Sequence, residues 1–253
     1  MRSVRTRSVL IAIVALLATA AAPATKSKSK PKAGGVDART ADYVFTYRWP
    51  AQVEALPALR AHLAADQAER KRTLAGEAAE ARRAAAADPD LRFVPYTLSV
   101  EWQVVADLPG WLSLSQSNSH FEGGAHPNSG FDSRVWDRKA GRARAPQDLF
   151  VSTKALDAAL RGPFCDALDR ERAVRRGEPV NRASGDGFDA CIAPSEQTVI
   201  LGSTDRKHFN RIGILVSPYA AGPYAEGSYD ITVPVTPAVL QAVKPEFRAA
   251  FGP

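Results

Sequence analysis

Hydrophobic and polar residues alternate in several short runs of this chain, and each run predicts a strand with one buried face. The clearest run covers residues 96–104, where every second side chain is large and apolar. Further strands are predicted over residues 43–49, 111–119, 131–136, 212–216 and 229–235. Because Pro234 has no N–H to donate, the last of these is predicted to be an edge or terminating strand.

One long segment has a helical composition. Residues 57–87 are mostly Ala, Arg and Glu, which are strong helix formers. The apolar stripe of this segment is thin and consists of Leu59, Leu63 and Leu74 with neighbouring alanines. We therefore expect a long helix that lies on a sheet and leaves its other face in water.

Two further helical segments follow. One contains Leu156 and Leu160, and the pair Gly162-Pro163 is expected to interrupt it before it resumes towards residue 176. Near the C-terminus, Thr236 as N-cap and Pro237 at the first helical position predict a short helix.

The order of these elements predicts the fold class. Most strands are neighbours in sequence with short turns between them, while the helices are grouped before and after. This pattern indicates an α+β fold with an antiparallel β-sheet packed with helices, including one long N-terminal helix and a short C-terminal helix.

The N-terminus is typical of an export signal. Three arginines precede an uncharged run over residues 9–22 that ends in Ala20-Ala21-Ala22, which is too short for a usual membrane span of about 20 residues. We predict a signal peptide over residues 1–24, with an uncleaved anchor helix as the alternative. Residues 25–40, rich in Lys, Ser, Gly and Pro, are predicted to be a flexible linker. The rest of the chain is expected to be exported, most simply to the periplasm.

The formal net charge of +6 comes from this N-terminal region. Residues 1–32 contain no acidic residue and seven basic side chains, which are Arg2, Arg5, Arg7, Lys26, Lys28, Lys30 and Lys32. The remaining 26 basic and 27 acidic side chains nearly cancel. A near-neutral body gives no electrostatic footprint for nucleic acid, so we expect no nucleic-acid partner, and a membrane contact only through an uncleaved signal.

The chain has two cysteines, Cys165 and Cys191. In an oxidising compartment an even pair predicts a disulfide, and two buried free thiols are the alternative. Two cysteines this far apart give little support for a metal site.

The stretch from residue 119 to 150 contains the phrase Gly-Gly-Ala-His-Pro-Asn, which predicts a shaped loop between antiparallel strands. Gly123 and Gly124 permit positive φ, and Pro127 favours an extended His126. A second loop, over residues 217–229, is rich in glycine and tyrosine. The candidate binding residues of the two loops are Gly123, Gly124, His126, Asn128, Tyr219 and Tyr224.

No motif identifies an enzyme. The sequence lacks a G-x-S-x-G elbow, an H-E-x-x-H pair and a P-loop. A hydrolase that uses His126 with Glu122 or Asp132 remains open, as does a metal site at His120, Glu122 and His126. The favoured alternative is a structural loop in which His126 bonds to backbone. We therefore predict no catalytic residue, no metal and no cofactor.

The glycine-histidine block, the following strand, the Gly141 turn and Asp148-Leu149-Phe150 resemble the extracytoplasmic domain family shared by RsiV and PdaC. Residues 217–234 resemble the second block of that family, a Pro-Tyr, then a Gly, then a strand. The resemblance covers about residues 41–248, with a PdaC-like N-terminal αβ part over 41–118 and an RsiV-like C-terminal αβ part over 119–250.

This resemblance implies an α+β fold, an envelope location and ligand binding rather than catalysis. In RsiV the region is implied to be the receptor for lysozyme, and in PdaC it accompanies a separate deacetylase domain. Neither a sigma-binding segment before the hydrophobic run nor a deacetylase domain after residue 253 is expected here. The sequence therefore predicts an exported binding module that contacts peptidoglycan or a wall-acting protein. A small periplasmic hydrolase acting on wall glycan, or an inhibitor of a lysozyme-like enzyme, is the alternative.

Overall fold

The computed structural model describes residues 33–253 of the protein. The predicted signal peptide and the first part of the predicted linker lie outside the described residues. Within residues 33–253, none of the helices is long and apolar enough to cross a bilayer.

Nine strands form two separate sheets. The strands are β1 (Gly34–Arg39), β2 (Tyr43–Trp49), β3 (Tyr96–Asp107), β4 (Trp111–Phe121), β5 (Asn128–Asp137), β6 (Arg142–Arg144), β7 (Thr198–Gly202), β8 (Arg211–Val216) and β9 (Tyr229–Pro234). The helices are α1 (Ala51–Glu54), α2 (Pro57–Ala87), α3 (Thr153–Arg176) and α4 (Pro237–Ala242). Strands β1 to β6 make a six-stranded sheet in sequence order, and β7 to β9 make a three-stranded antiparallel sheet. The α+β prediction is confirmed.

Helix α2 covers one face of the large sheet. Leu59, Leu63 and Leu74, the predicted stripe, are all buried, and they pack with the sheet residues Phe45 and Trp102. The rest of the helix is mostly exposed, because the stripe is only one or two residues wide at each turn.

A second core lies between α3 and the small sheet. Leu156, Leu160, Phe164 and Leu168 point from α3 into this core and are fully buried. The small sheet also approaches the large one, because β7 lies beside β3, β4 and β5. The Thr198 hydroxyl donates to the Phe131 carbonyl at 3.2 Å across this junction.

The prediction that residues 34–39 belong to a flexible linker is wrong. They form β1, which pairs antiparallel with residues 44–49 of β2. Gly34 packs so closely against Trp49 and Glu54 that a β-carbon there would lie 2.2 Å from both side chains. The strand exists because β2 offers it a partner, and its own residues carry little strand signal.

The predicted break at Gly162-Pro163 is also wrong, since α3 runs through both residues. A proline inside a helix costs roughly 3 kcal/mol, whereas burying four large apolar side chains on one face contributes about 1.5–3 kcal/mol each. Pro163 lies on the exposed side, so the missing N–H does not leave a buried carbonyl without water.

Two further differences concern topology. Strands β2 and β3 are parallel, because α1 and α2 carry the chain back across the sheet between them. The predicted division at residues 118/119 falls inside β4, so it does not separate two structural units.

The disulfide between Cys165 and Cys191 is confirmed, with the two Cα atoms 5.5 Å apart. It ties α3 to the chain that enters the small sheet and closes a loop over a separation of 26 residues. We predict that the double substitution Cys165→Ala/Cys191→Ala lowers the free energy of unfolding by about 3 kcal/mol in the chain-entropy model. Urea unfolding measures this loss, and the reduced wild-type protein serves as the control. A midpoint unchanged by either treatment would contradict the prediction.

Candidate functional site

The two loops selected from the sequence meet in the structure. The imidazole of His126 stacks on the ring of Tyr224, with centroids 3.7 Å apart and planes inclined by 16°. Tyr219 joins them from the side, its centroid 6.2 Å from His126 and 5.6 Å from Tyr224. We call these three residues the aromatic cluster.

Hydrogen bonds set the orientation of the histidine. His126 Nδ1 lies 2.9 Å from the Pro127 carbonyl oxygen, which can only accept, so Nδ1 carries the proton. In the neutral ring, Nε2 is then free to accept from the Tyr219 hydroxyl at 3.3 Å. The Tyr224 hydroxyl donates to the same Pro127 carbonyl at 3.0 Å. The predicted contact between His126 and backbone is therefore present.

The aromatic cluster is at the surface. Tyr219 is 54% exposed, while His126 and Tyr224 are half-buried. Neither Tyr219 nor Tyr224 is therefore a core residue.

Backbone geometry explains why glycine occurs where it does. Gly123 and Gly124 have φ of +98° and +97°, which side chains strongly disfavour, and they turn the chain between β4 and β5. Asn128 is the first residue of β5 and is exposed beside the turn. Tyr219 also has positive φ, +69°, which is costly for a bulky residue.

Arginines from α3 hold the loop over residues 217–229, which we call the tyrosine loop, in place. Arg172 is fully buried, and its Nε donates to the Ala221 carbonyl at 2.8 Å. Its Nη1 donates to the Asp169 carboxylate and to the Ala190 carbonyl, both at 3.1 Å. One guanidinium thus joins α3 to two loops.

Arg176, one turn later, binds the same loop through its charge. Its Nε is 2.8 Å from one Glu226 carboxylate oxygen, and its Nη1 is 2.6 Å from Asp189. Arg175 donates to the carbonyls of Glu226 and Ser228 and lies over the Tyr229 ring. We call Arg172, Arg175 and Arg176 the arginine cluster.

The electrostatics of this cluster shift several pKa values. Partial burial pushes the Glu226 pKa upwards, but hydrogen bonds from Arg176 and Tyr229 outweigh it and hold the pKa below its usual range. Desolvation and the bond to Glu226 raise the pKa of Tyr229 to about 12. The Glu226 hydrogen bond raises the Arg176 pKa. Gly222 is needed here, because a β-carbon would lie 2.1 Å from the Glu226 carboxylate.

Sequence analysis missed the arginine cluster, although a signal for it exists. Leu156, Leu160, Phe164 and Leu168 recur every four residues on the buried face of α3, and Arg172 continues that series. An arginine at a buried position of an amphipathic helix predicts an internal partner.

Other predicted site residues lie elsewhere. His120 and Glu122 line a groove of about 220 Å³ beside α2, and Asp132 is paired with Arg134 at 2.6 Å. Neither Glu122 nor Asp132 bonds to His126 among the described contacts, so the proposed hydrolase pairs are not assembled. In residues 33–253 no group of three His, Cys, Asp or Glu side chains is arranged around a metal position.

We expect Arg176→Gln to lower the free energy of unfolding, because it leaves the carboxylates of Glu226 and Asp189 without their arginine counter-charge. Amide hydrogen exchange over residues 217–228 should also become faster, since the loop loses its anchor. Arg170→Gln, an exposed position on the same helix, is the matched control. Equal exchange in both variants would show that Arg176 does not hold the loop.

The pH dependence follows from the lowered pKa of Glu226. A carboxylate whose folded pKa lies below its unfolded value stabilises the protein above the unfolded value, about 4.3, and this stabilisation is lost as pH falls through the folded pKa. Urea unfolding at pH 7 and pH 3.5 should therefore show a larger acid loss in the wild type than in Glu226→Gln. Equal losses would exclude this role of Glu226.

Residues 38–129 match the family model described as deacetylase PdaC. No curated protein matches the sequence. Two solved structures are similar: a DUF3298 family member from Bacteroides fragilis, and a DUF3298 family protein from Pseudomonas aeruginosa PAO1. The first is 14% identical, with a TM-score of 0.50, and the match covers 80% of this chain and 89% of that one. The second is 18% identical, with a TM-score of 0.49, and the match covers 87% of this chain and 97% of that one.

The match to the first structure shows a shared fold, and the family match includes the glycine-histidine loop that carries His126. The predicted resemblance to PdaC is confirmed over residues 38–129, which are similar to that family model.

Proposed function

We propose that this chain is an exported, non-catalytic binding module of the cell envelope, and that it contacts peptidoglycan or a wall-acting protein through the aromatic cluster. The observation that carries the proposal is the meeting of His126 with Tyr219 and Tyr224, which lie more than 90 residues further along the chain. Loops that only connect neighbouring strands do not have to contact each other in a common surface.

The chemistry of the aromatic cluster suits a sugar or a protein surface. Stacked rings offer flat apolar faces, while the hydroxyls and the imidazole offer hydrogen bonds at their edges. Most of the hydrogen-bonding capacity of His126 is already used within the cluster, which favours a fixed binding surface over a proton-transferring group.

Backbone strain at Tyr219 supports the same interpretation. A bulky residue in the left-handed region costs about 1–2 kcal/mol, and such strain is concentrated at ligand-binding positions. The arginine cluster supplies the contacts that keep the loop in this conformation. The strained backbone presents a side chain that is more than half exposed.

An envelope location is part of this proposal. It is supported by the predicted export signal over residues 1–24 and by the disulfide between Cys165 and Cys191, a bond that persists in oxidising compartments.

Co-sedimentation of residues 25–253 with purified peptidoglycan sacculi tests the proposal. We expect saturable binding that His126→Ala and Tyr224→Ala each weaken by about tenfold, because a stacked aromatic pair contributes on the order of 1 kcal/mol beyond its buried area. His62→Ala, an exposed position on α2, and Tyr224→Phe, which keeps the ring, are the controls.

The outcomes separate the two ligand classes. A wall-binding module is supported if the wild type and the control variants bind sacculi while His126→Ala and Tyr224→Ala bind about tenfold more weakly. A protein that does not sediment at micromolar concentration has no wall glycan ligand, and retention on an immobilised lysozyme-like enzyme would then identify a protein partner. Binding that persists undiminished in both alanine variants would overturn the role of the aromatic cluster.

A further inference from the structure

A cleft lies between the two sheets, away from the contacts of the aromatic cluster and the arginine cluster. Its volume is about 190 Å³, and its lining comes from β3, β4 and β5 on one side and from β7, β8 and β9 on the other. The large sheet contributes Gln103, Ser115, Ser117 and Phe131, and the small sheet contributes Leu215 and Asp230. Polar positions of the large sheet and one carboxylate of the small sheet therefore lie where two sheets usually bury apolar side chains.

Asp230 is the unusual group in this cleft. It is accessible to solvent, yet the partial burial of its carboxyl by the surrounding walls raises its pKa. Among residues 33–253, this exposed carboxylate takes part in no ion pair and no side-chain hydrogen bond, whereas the half-buried carboxylates of Glu226 and Asp189 have an arginine partner. A partly desolvated carboxylate without a partner is unfavourable for folding alone.

The rest of the lining is rich in acceptors. Gln103 donates its amide nitrogen to Glu101 at 3.3 Å, which leaves its carbonyl oxygen as an acceptor. Ser115 and Ser117 add hydroxyl oxygens on the same face of the sheet, opposite Gln103 and Glu101. Of the described residues that line the cleft, none is Lys, Arg or His. Negative charge and acceptor oxygens without a cation complement a positively charged donor.

We propose that the inter-sheet cleft binds a primary ammonium group of a ligand, with the Asp230 carboxylate as its counter-ion. An ammonium group has three donors and no acceptor, which matches the Asp230 carboxylate, the Gln103 carbonyl and the serine hydroxyls. Phe131 and Leu215 provide an apolar wall for the carbon skeleton beside the charge.

The size of the cleft limits the ligand. Pockets for whole small molecules usually measure roughly 300–1,000 Å³, so 190 Å³ holds one unit of a larger molecule. That unit is either an amino sugar whose nitrogen is not acylated or the end of a side chain such as lysine. Both present the same ammonium chemistry.

The cleft and the aromatic cluster are connected through three strands. β5 begins at Asn128 and contributes Phe131, β8 contributes Leu215 and ends at Val216 before Tyr219, and β9 begins at Tyr229, next to Asp230. A polymer held at the aromatic cluster could therefore place a charged unit in the cleft. Binding of an ammonium group in the cleft can nevertheless be tested separately from binding at the aromatic cluster, because its probes are small and soluble.

Isothermal titration calorimetry of the purified protein with two matched pairs of probes tests this site. One pair is a β-1,4-linked glucosamine trimer and its fully N-acetylated counterpart. The other is a blocked Ala-Lys-Ala peptide and the same peptide with an acetylated lysine. All are measured at a pH where the free amines are protonated, with the wild type, Asp230→Asn and the control Glu178→Gln, an exposed loop position.

We expect the free amine of at least one pair to bind about tenfold more tightly than its acetylated form, and Asp230→Asn to remove that difference while Glu178→Gln keeps it. The pair that binds identifies the source of the ammonium group. Equal affinity for amine and acetylated forms, no binding of either amine, or unchanged binding by Asp230→Asn would overturn the proposal.

Thermal unfolding without ligand provides a second check on the same variant. Because the wild-type carboxylate is partly desolvated and has no side-chain partner within residues 33–253, we expect Asp230→Asn to keep or raise the melting temperature at pH 7. A clear decrease would mean that Asp230 has a structural partner, and the cleft would then not be a site prepared for a cation.

Discussion

The position of the candidate binding surface depends on buried guanidinium groups that reach from α3 to the Ala221 carbonyl. Arg172 is fully buried and Arg176 is mostly so, and both donate to this one oxygen, at 2.8 and 3.3 Å. Removing an arginine from water is costly, and the cost is offset only where several acceptors converge on it. Here those acceptors belong to the tyrosine loop and to the chain around Ala190, so α3 organises both segments.

This arrangement links the second core to the surface. The disulfide fixes Cys191 to α3, and Arg172 holds the neighbouring Ala190, so the loop after α3 is tied twice. The tyrosine loop is tied by Arg172, Arg175 and Arg176, and it carries Tyr219 and Tyr224 to His126. The large sheet contributes only the histidine loop, whose shape comes from Gly123 and Gly124.

Elements with strong local patterns could be predicted from the sequence, whereas elements that depend on partners could not. The alternation at 96–104 and the Ala-rich helix at 57–87 are present as expected. β1 was missed because it depends on pairing with β2 and on the close packing of Gly34 against Trp49, which only the fold reveals. Helix α3 passes through Pro163 because its buried face continues on both sides. The two loops selected from the sequence meet in the structure, but the contact between residues 126 and 224 has no local signal. The regular spacing that ends at Arg172 was a signal that sequence analysis did not use.

The central claim is that the arginine cluster acts on ligand binding through the aromatic cluster. A double-mutant cycle of Arg176→Gln and Tyr224→Ala, measured as affinity for peptidoglycan sacculi, tests it most directly. The account predicts that each substitution alone weakens binding and that the double variant binds no more weakly than Tyr224→Ala. Losses that simply add, or an Arg176→Gln variant that binds as the wild type does, would contradict it.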